Sequence, residues 1–301
     1  MRFKVQFMFT AAAVLLASGC DSSNPAITDE AGYLKSIEVW QQTRLDRLKG
    51  EDGWLNLAGL YWLNEGENSF GSDSSNEIVF PEKACAFCGS LTLKQGDVIL
   101  HASGDAGIAC DDSIVSQMEL NDDQSGNTTY LHQGDLVWHI IRRGDKYGIR
   151  LRDLNHPRIG ELEQIPSYPV STDYVVEATL LPFQEAKTMV VATPVEGFTE
   201  SYQCPGILHF RLNRKDLELY PFTSGNGYFL VIADETTGVD TYGAGRFMVA
   251  TPDSTGRIIL DFNKAYNPPC AFSPFATCPM PPKENFLDVA IEAGEKSVHL
   301  F

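Results

Sequence analysis

The sequence predicts a mainly antiparallel all-β fold, a barrel or a sandwich, preceded by an N-terminal amphipathic helix. Three observations predict it. From Gly53 onward, short apolar runs follow one another, punctuated by glycine, aspartate and asparagine. No helix-length apolar period separates one run from the next, which argues against a parallel sheet with crossover helices. Near the C-terminus, Asp261 to Asn285 (DFNKAYNPPCAFSPFATCPMPPKEN) carries six prolines, which fix φ, remove backbone donors and rule out helix interior and central strand alike. That stretch is a fixed loop, and its asparagine, tyrosine, phenylalanine, cysteine and acidic residues are those of an ordered site, unlike a linker.

Residues 1–19 have the layout of a secretory signal peptide: Arg2 and Lys4, an apolar run from Val5 to Ala17 broken only by Gln6 and Thr10, then small residues. The run is shorter than the roughly 20 apolar residues needed to cross a bilayer. Leu16-Ala17-Ser18-Gly19-Cys20 resembles a bacterial lipobox, which implies cleavage before Cys20 and acylation of its thiol. Each buried methylene of an acyl chain contributes about 0.8 kcal/mol, so several chains on Cys20 would anchor a domain without a spanning helix. The lipid bilayer is therefore the first expected partner. The expected place is the bacterial cell envelope, facing the periplasm, and Asp21 resembles the signal that keeps such lipoproteins at the inner membrane. Residues 20–30 read as a lipidated tether and 31–301 as a single β-rich domain, with 120–130 as the place where it would subdivide.

Basic residues number 23 and acidic residues 40, a net charge of −17. A field of that sign repels nucleic acid and anionic headgroups over the Debye length, about 8 Å at physiological salt, so nucleic acid is not expected as a partner. Tyr33, Leu34, Ile37, Trp40, Leu45 and Leu48 recur at three- and four-residue spacing, and Gly50 suits a C-terminal cap. This predicts a helix from Thr28. Its polar face mixes acids and bases, which suits packing on the body better than lying on a membrane. Leu91 to Leu93 and Val98 to Leu100 flank Gln95-Gly96-Asp97 as a hairpin, and Leu136 to Arg142 and Tyr147 to Arg152 form a second. Further strands are predicted at Tyr174 to Leu181, Lys187 to Ala192, Ile207 to Leu212, Tyr228 to Ala233, Arg246 to Ala250, Arg257 to Phe262, Phe286 to Ile291 and Lys296 to Leu300.

Several segments together resemble one family. They are Gly53-Trp-Leu-Asn-Leu-Ala-Gly-Leu-Tyr-Trp-Leu63 with Gly66-Glu-Asn68, Arg142-Arg-Gly-Asp145, Arg150-Leu-Arg-Asp153, Asp234-Glu-Thr236, Thr241-Tyr-Gly-Ala-Gly-Arg246 and the proline-rich loop. The sequence is similar over about residues 53–296 to the bacterial and archaeal family called domain of unknown function 1684. The resemblance implies a single family unit and carries no reaction; no cofactor is expected. Cys85, Cys88 and Cys110 stand outside the family pattern.

Beyond Cys20 there are six cysteines, an even count that favours disulfides outside the cytoplasm. Cys270 and Cys278, within one fixed loop, are the expected pair; closing so short a loop stabilises by about 2.5 kcal/mol. The other reading is two buried free thiols. Cys85-x-x-Cys88 has the spacing of a redox pair, and with His101 and Cys110 the ligand types of a zinc site, although oxidation would remove them; no metal site is assigned. Nucleophile-elbow, zinc-protease, phosphate-loop and dinucleotide motifs are absent. The six histidines, His101, His132, His139, His156, His209 and His299, are scattered singly.

Arginine placement carries the functional expectation. Arg142, Arg143, Arg150, Arg152 and Arg246 lie in or beside predicted strands, where alternate residues share a face. Two or more can enter one cavity, and an inward-facing guanidinium needs a carboxylate or phosphate partner. Asp261, Asn263, Tyr266, Asn267 and Asn285 of the loop would close that cavity. A small anionic ligand is thus expected at Arg143, Arg150, Asp153, Asp234, Tyr242, Arg246, Asp261, Asn263, Tyr266, Asn267 and Asn285. Two structural readings compete: Asp153, Asp234 or Asp261 neutralises the arginines internally, and the loop's polar groups hydrogen-bond its own backbone. A hydrolase-like alternative uses Asp261 or Glu284 as general base and Arg246 to stabilise developing charge. A third reading is a structural interaction protein of the envelope.

Overall fold

Asp29 starts the first element. Its side chain accepts a hydrogen bond from the Gly32 amide at 3.0 Å, capping helix α1 (Glu30–Lys49), and the Gly50 amide closes the other end on the Asp46 carbonyl at 3.0 Å. The structure, a computed structural model, describes residues 27–300; the signal peptide and Cys20 lie outside them. No helix among the described residues is long and apolar enough to cross a membrane. Ile37, Leu45 and Leu48 form the buried face of α1.

The first half of the body comprises β1 (Leu57–Trp62), β2 (Gly66–Gly71), β3 (Ile78–Val79), β4 (Gly89–Lys94), β5 (Asp97–Ala102), β6 (Ala109–Cys110) and β7 (Ser113–Ile114). It continues through β8 (Gln117–Leu120), β9 (Leu131–Gln133), β10 (Leu136–Arg143) and β11 (Lys146–Asp153). These make a sheet of order β1-β11-β10-β9-β6-β7 and another of order β3-β2-β4-β5-β8. Both expected hairpins are present, β4 with β5 and β10 with β11. Phe70, Leu91 and Leu100 of the second sheet share one core with Trp138, Ile140, Ile149 and Leu151 of the first. Phe70 meets Trp138 edge-on, with centroids 5.4 Å apart. Residues 121–130 join two strands of this single core, since Leu120 and Leu131 both belong to it; the change to a new core comes at 154–174 instead.

The second half comprises β12 (Val175–Ala192), β13 (Thr199–Leu212), β14 (Lys215–Leu219), β15 (Phe222–Ser224), β16 (Gly227–Ile232), β17 (Arg246–Ala250) and β18 (Ile258–Asp261). Sheets of order β14-β13-β12-β18 and β15-β16-β17 enclose Leu208, Leu219, Leu230, Ile232, Met248 and Leu260. The architecture is sandwich-like and not a closed barrel. β2 and β3 pair in parallel; every other ladder between these strands is antiparallel.

Three expectations change. Tyr174 to Leu181 and Lys187 to Ala192 are one strand, β12, whose register shifts between Pro182 and Lys187 where proline cannot donate to the ladder. Phe286 to Ile291 and Lys296 to Leu300 are not strands. Leu287, Val289, Ile291 and Ala293 alternate inward as a strand would, but the segment is tied by separate bonds such as Leu287 amide to Ala233 carbonyl at 2.8 Å. One-sided burial produced the alternation without a ladder. The loop from Asp261 is irregular, as its prolines require, with single 3-10 turns at Phe262–Lys264, Pro269–Ala271 and Lys283–Asn285.

Candidate functional site

Register places the site. Directly opposed residues on neighbouring strands share a face, and Leu60, Arg150 and His139 are opposed across β1, β11 and β10, as are Trp62, Gly148 and Ile141. Arg152 pairs with Val137 and Arg143 with Lys146 on the same face. The opposite face carries Trp138, Ile149 and Leu151 into the first core. The sheet is therefore apolar on one side and cationic on the other, and the proline-rich loop comes down on the cationic side through Thr277.

The Thr277 hydroxyl accepts from Arg143 Nε at 3.3 Å and from Arg150 Nη2 at 3.4 Å. Arg143 is ion-paired to Asp123 at 2.8 Å. Arg150 forms no ion pair, Asp123 acting on it only at longer range: it is 6% exposed, its Nε has no hydrogen-bond partner, and its guanidinium lies 5.8 Å from the Trp54 ring centroid. Burial, then the neighbouring Arg143, lowers the Arg150 pKa to about 10, so it remains charged at neutral pH. Arg152 is held by the Gly53 carbonyl and by Asn56 Oδ1 at 2.7 Å. His139 is buried against Tyr130, ring centroids 4.9 Å apart, with Nδ1 unpartnered. Burial, then Arg150 and Arg152, pushes its pKa down to about 4, and the ring is neutral at pH 7. A cavity of about 380 Å³ opens beside this group, with Leu60, Trp62, Lys146, Phe275 and Thr277 in its wall.

The remaining expected residues go elsewhere. Arg246 is fully buried: it pairs with Asp234 at 2.7 Å and donates to the carbonyls of Ile291 (3.1 Å) and Ala293. Asp234 also accepts from the Thr236 hydroxyl at 2.6 Å and the Ile291 amide at 3.2 Å. Arg246 and Asp234, expected as ligand contacts, are thus a sealed structural pair that ties β17 to the C-terminal segment, and Arg246 has no surface on which to meet a substrate. Asp153 accepts from Lys83 at 2.7 Å and from the Asn155 amide at 3.0 Å. Asp261 accepts from Tyr33 Oη at 2.9 Å, and Asn263 donates to the same Oη at 2.9 Å and to the Ser171 carbonyl at 2.8 Å. Asn285 bonds Tyr220 and Val231 backbone, and Tyr242 donates to the Cys270 carbonyl at 2.9 Å. Glu284 is exposed. Most of the loop's polar groups therefore replace the backbone ladder that proline forbids.

The disulfide is also relocated. Cys85 is bonded to Cys88, which takes both sulfurs out of any zinc set, while Cys270 and Cys278 are free thiols. They are close, with the Cys270 amide donating to Cys278 Sγ at 3.2 Å. Among the described residues no group of three or more histidine, cysteine or acidic side chains could hold a metal.

Thr277 and Trp54 lie in the family segments and His139 among the scattered histidines, yet sequence reasoning gave none of them, nor Asp123, a place in the site; strand register alone would have aligned His139 with Arg150. Sequence reasoning also missed Glu295. This carboxylate is 1% exposed, pairs with Arg44 at 3.1 Å and accepts from the Asn267 amide at 2.7 Å. Desolvation raises its pKa above the ordinary glutamate value. Arg44 also donates to the Asn267 carbonyl at 2.8 Å and lies over the Tyr266 ring at 4.7 Å, so Tyr266 and Asn267 seat α1.

These features define an antiparallel, sandwich-like β-protein whose second half is locked by a buried arginine pair. Residues 160–296, nearly all of that half, match the family model described as Protein of unknown function (DUF1684), which supports the family on the segment that contains the proline-rich loop. The match starts at 160 and not at the expected 53. A solved structure, the solution NMR structure of an uncharacterized protein of Haloarcula marismortui, is 33% identical, covers 46% of this chain and 78% of its own, and superposes with a TM-score of 0.39. No curated protein matches the chain.

Proposed function

We propose that this chain is an envelope lipoprotein, anchored through acylated Cys20, whose body binds a small anionic ligand at Arg143, Arg150 and Thr277 beneath the 261–285 loop. Arg150 carries the reading. An almost fully buried guanidinium with no ion pair and an unpartnered Nε costs several kcal/mol in desolvation that internal contacts do not repay. An anion oxygen placed between Arg143 and Arg150, where the Thr277 hydroxyl makes its two long contacts, repays it with charge-assisted hydrogen bonds. Titration calorimetry of the full-length chain in detergent with inorganic phosphate and with benzoate tests this. Binding is expected to be saturable and to be lost in Arg150→Met at unchanged secondary structure; heat that is identical in the variant rejects the site. Labelling cells with a tagged palmitate tests the anchor, with incorporation expected to vanish in Cys20→Ser.

A further inference from the structure

The cavity beside Arg150 narrows the class of anion. Its volume, about 380 Å³, falls in the range of small-molecule pockets and far exceeds what a bare oxyanion fills. Its polar side chains are Thr277, which touches both guanidiniums from the wall, Lys146, the cross-strand partner of Arg143, whose ammonium donates to the Glu196 carbonyl at 2.7 Å, and Glu196 itself; Arg143 and Arg150 lie behind Thr277 and not in the wall. Leu60, Trp62, Pro194, Val195 and Phe275 make up most of the remaining wall. The Trp62 indole is set by its cross-strand partner Gly148, since a β-carbon there would lie 2.9 Å from the ring. The absence of a side chain at 148 lets the indole lie across the sheet and leaves the space beside it open.

Resting on the anion reading above, we infer that the ligand is an amphipathic organic acid, a carboxylate or phosphate monoester on a single ring or short apolar body. Its head lies at Thr277, Arg150 and Arg143 and its body against Trp62 and Leu60. Bare inorganic anions satisfy only the head. Burying one ring against these side chains is worth about a tenfold or larger gain in affinity.

The test compares phenyl phosphate and benzoate with inorganic phosphate and acetate by calorimetry on the wild type, Trp62→Ala, Trp62→Phe and Arg150→Met, with folding checked by circular dichroism. Phenyl phosphate is expected to bind at least about tenfold more tightly than phosphate. Trp62→Ala should erase that margin and leave phosphate binding unchanged, Trp62→Phe should restore most of it, and Arg150→Met should abolish binding of every anion. Equal affinity for phenyl phosphate and phosphate, or a margin that survives Trp62→Ala, overturns the inference while the anion site stands. Failure of all four anions to bind, or binding indifferent to Arg150→Met, overturns the anion site and this inference with it.

Discussion

Two buried arginines divide the molecule. Arg246, in the second half, is sealed and answered by Asp234 and two carbonyls. Arg150, in the first half, is nearly as buried but has a single long hydrogen bond, to Thr277, beside the Trp54 ring. Both leave Nε unpartnered, so unsatisfied nitrogen does not separate them; a carboxylate does. The lesson is that buried charge alone does not mark a site. A neutralised arginine fixes the fold, and one lacking its counter-ion has capacity left for something outside the chain.

The contrast breaks most easily on the paired side. Arg246→Ala should lower stability by about 3–5 kcal/mol, because the Asp234 carboxylate is left buried without its cation, read as a fall in denaturant midpoint; a loss below about 1 kcal/mol would mean that the pair holds nothing together. Next comes acid. His139 has a folded pKa of about 4 against an ordinary 6.5, so between those values the unfolded chain binds the extra proton. Stability contributed by the neutral ring is complete above pH 6.5, falls as the pH drops towards 4 and amounts to about 3 kcal/mol. His139→Gln should flatten that part of the pH–stability curve, and saturating anion at Arg150 should make the loss smaller, since an added negative charge raises the folded His139 pKa towards its ordinary value and narrows the window in which the unfolded chain binds the extra proton. On the unpaired side, Arg150→Met should leave stability unchanged or raise it by up to about 2 kcal/mol, since it removes a buried charge that has no ion pair of its own and feels Asp123 only at longer range; a large loss would place Arg150 with Arg246 as a structural residue. Smallest in energy is the cysteine assignment. Peptide mapping under non-reducing conditions should find Cys85 linked to Cys88 and alkylated thiols at Cys270 and Cys278, with reduction costing less than about 2 kcal/mol for so short a loop.

The β-architecture was legible because turn residues and two-residue alternation are local signals, and both central hairpins follow from them. Phe286 to Ile291 shows the limit: alternation reports which side is buried and is silent on whether a ladder partner exists. The loop was legible as fixed, through proline, and its polar groups were legible as candidates for self-satisfaction. What sequence could not supply was pairing. Arg150 and Arg246 look alike in a strand, and only register across β10 and β11, together with the descent of Thr277 from more than a hundred residues away, distinguishes them. Cys270 and Cys278 lie close, as spacing suggested, yet the bond falls at Cys85–Cys88.

The seating of α1 has a consequence for how the chain acquires its structure. Tyr33 meets Asp261 across 228 residues, and Arg44 meets Glu295 across 251. During synthesis the helix is made before its docking surface, which does not exist until the residues 228 and 251 positions further along have emerged. Contacts of such long sequence separation form slowly and late. The helix should therefore act as a closing clasp, leaving the apolar stripe of Ile37, Leu45 and Leu48 uncovered through most of folding, when a chaperone would have reason to hold it.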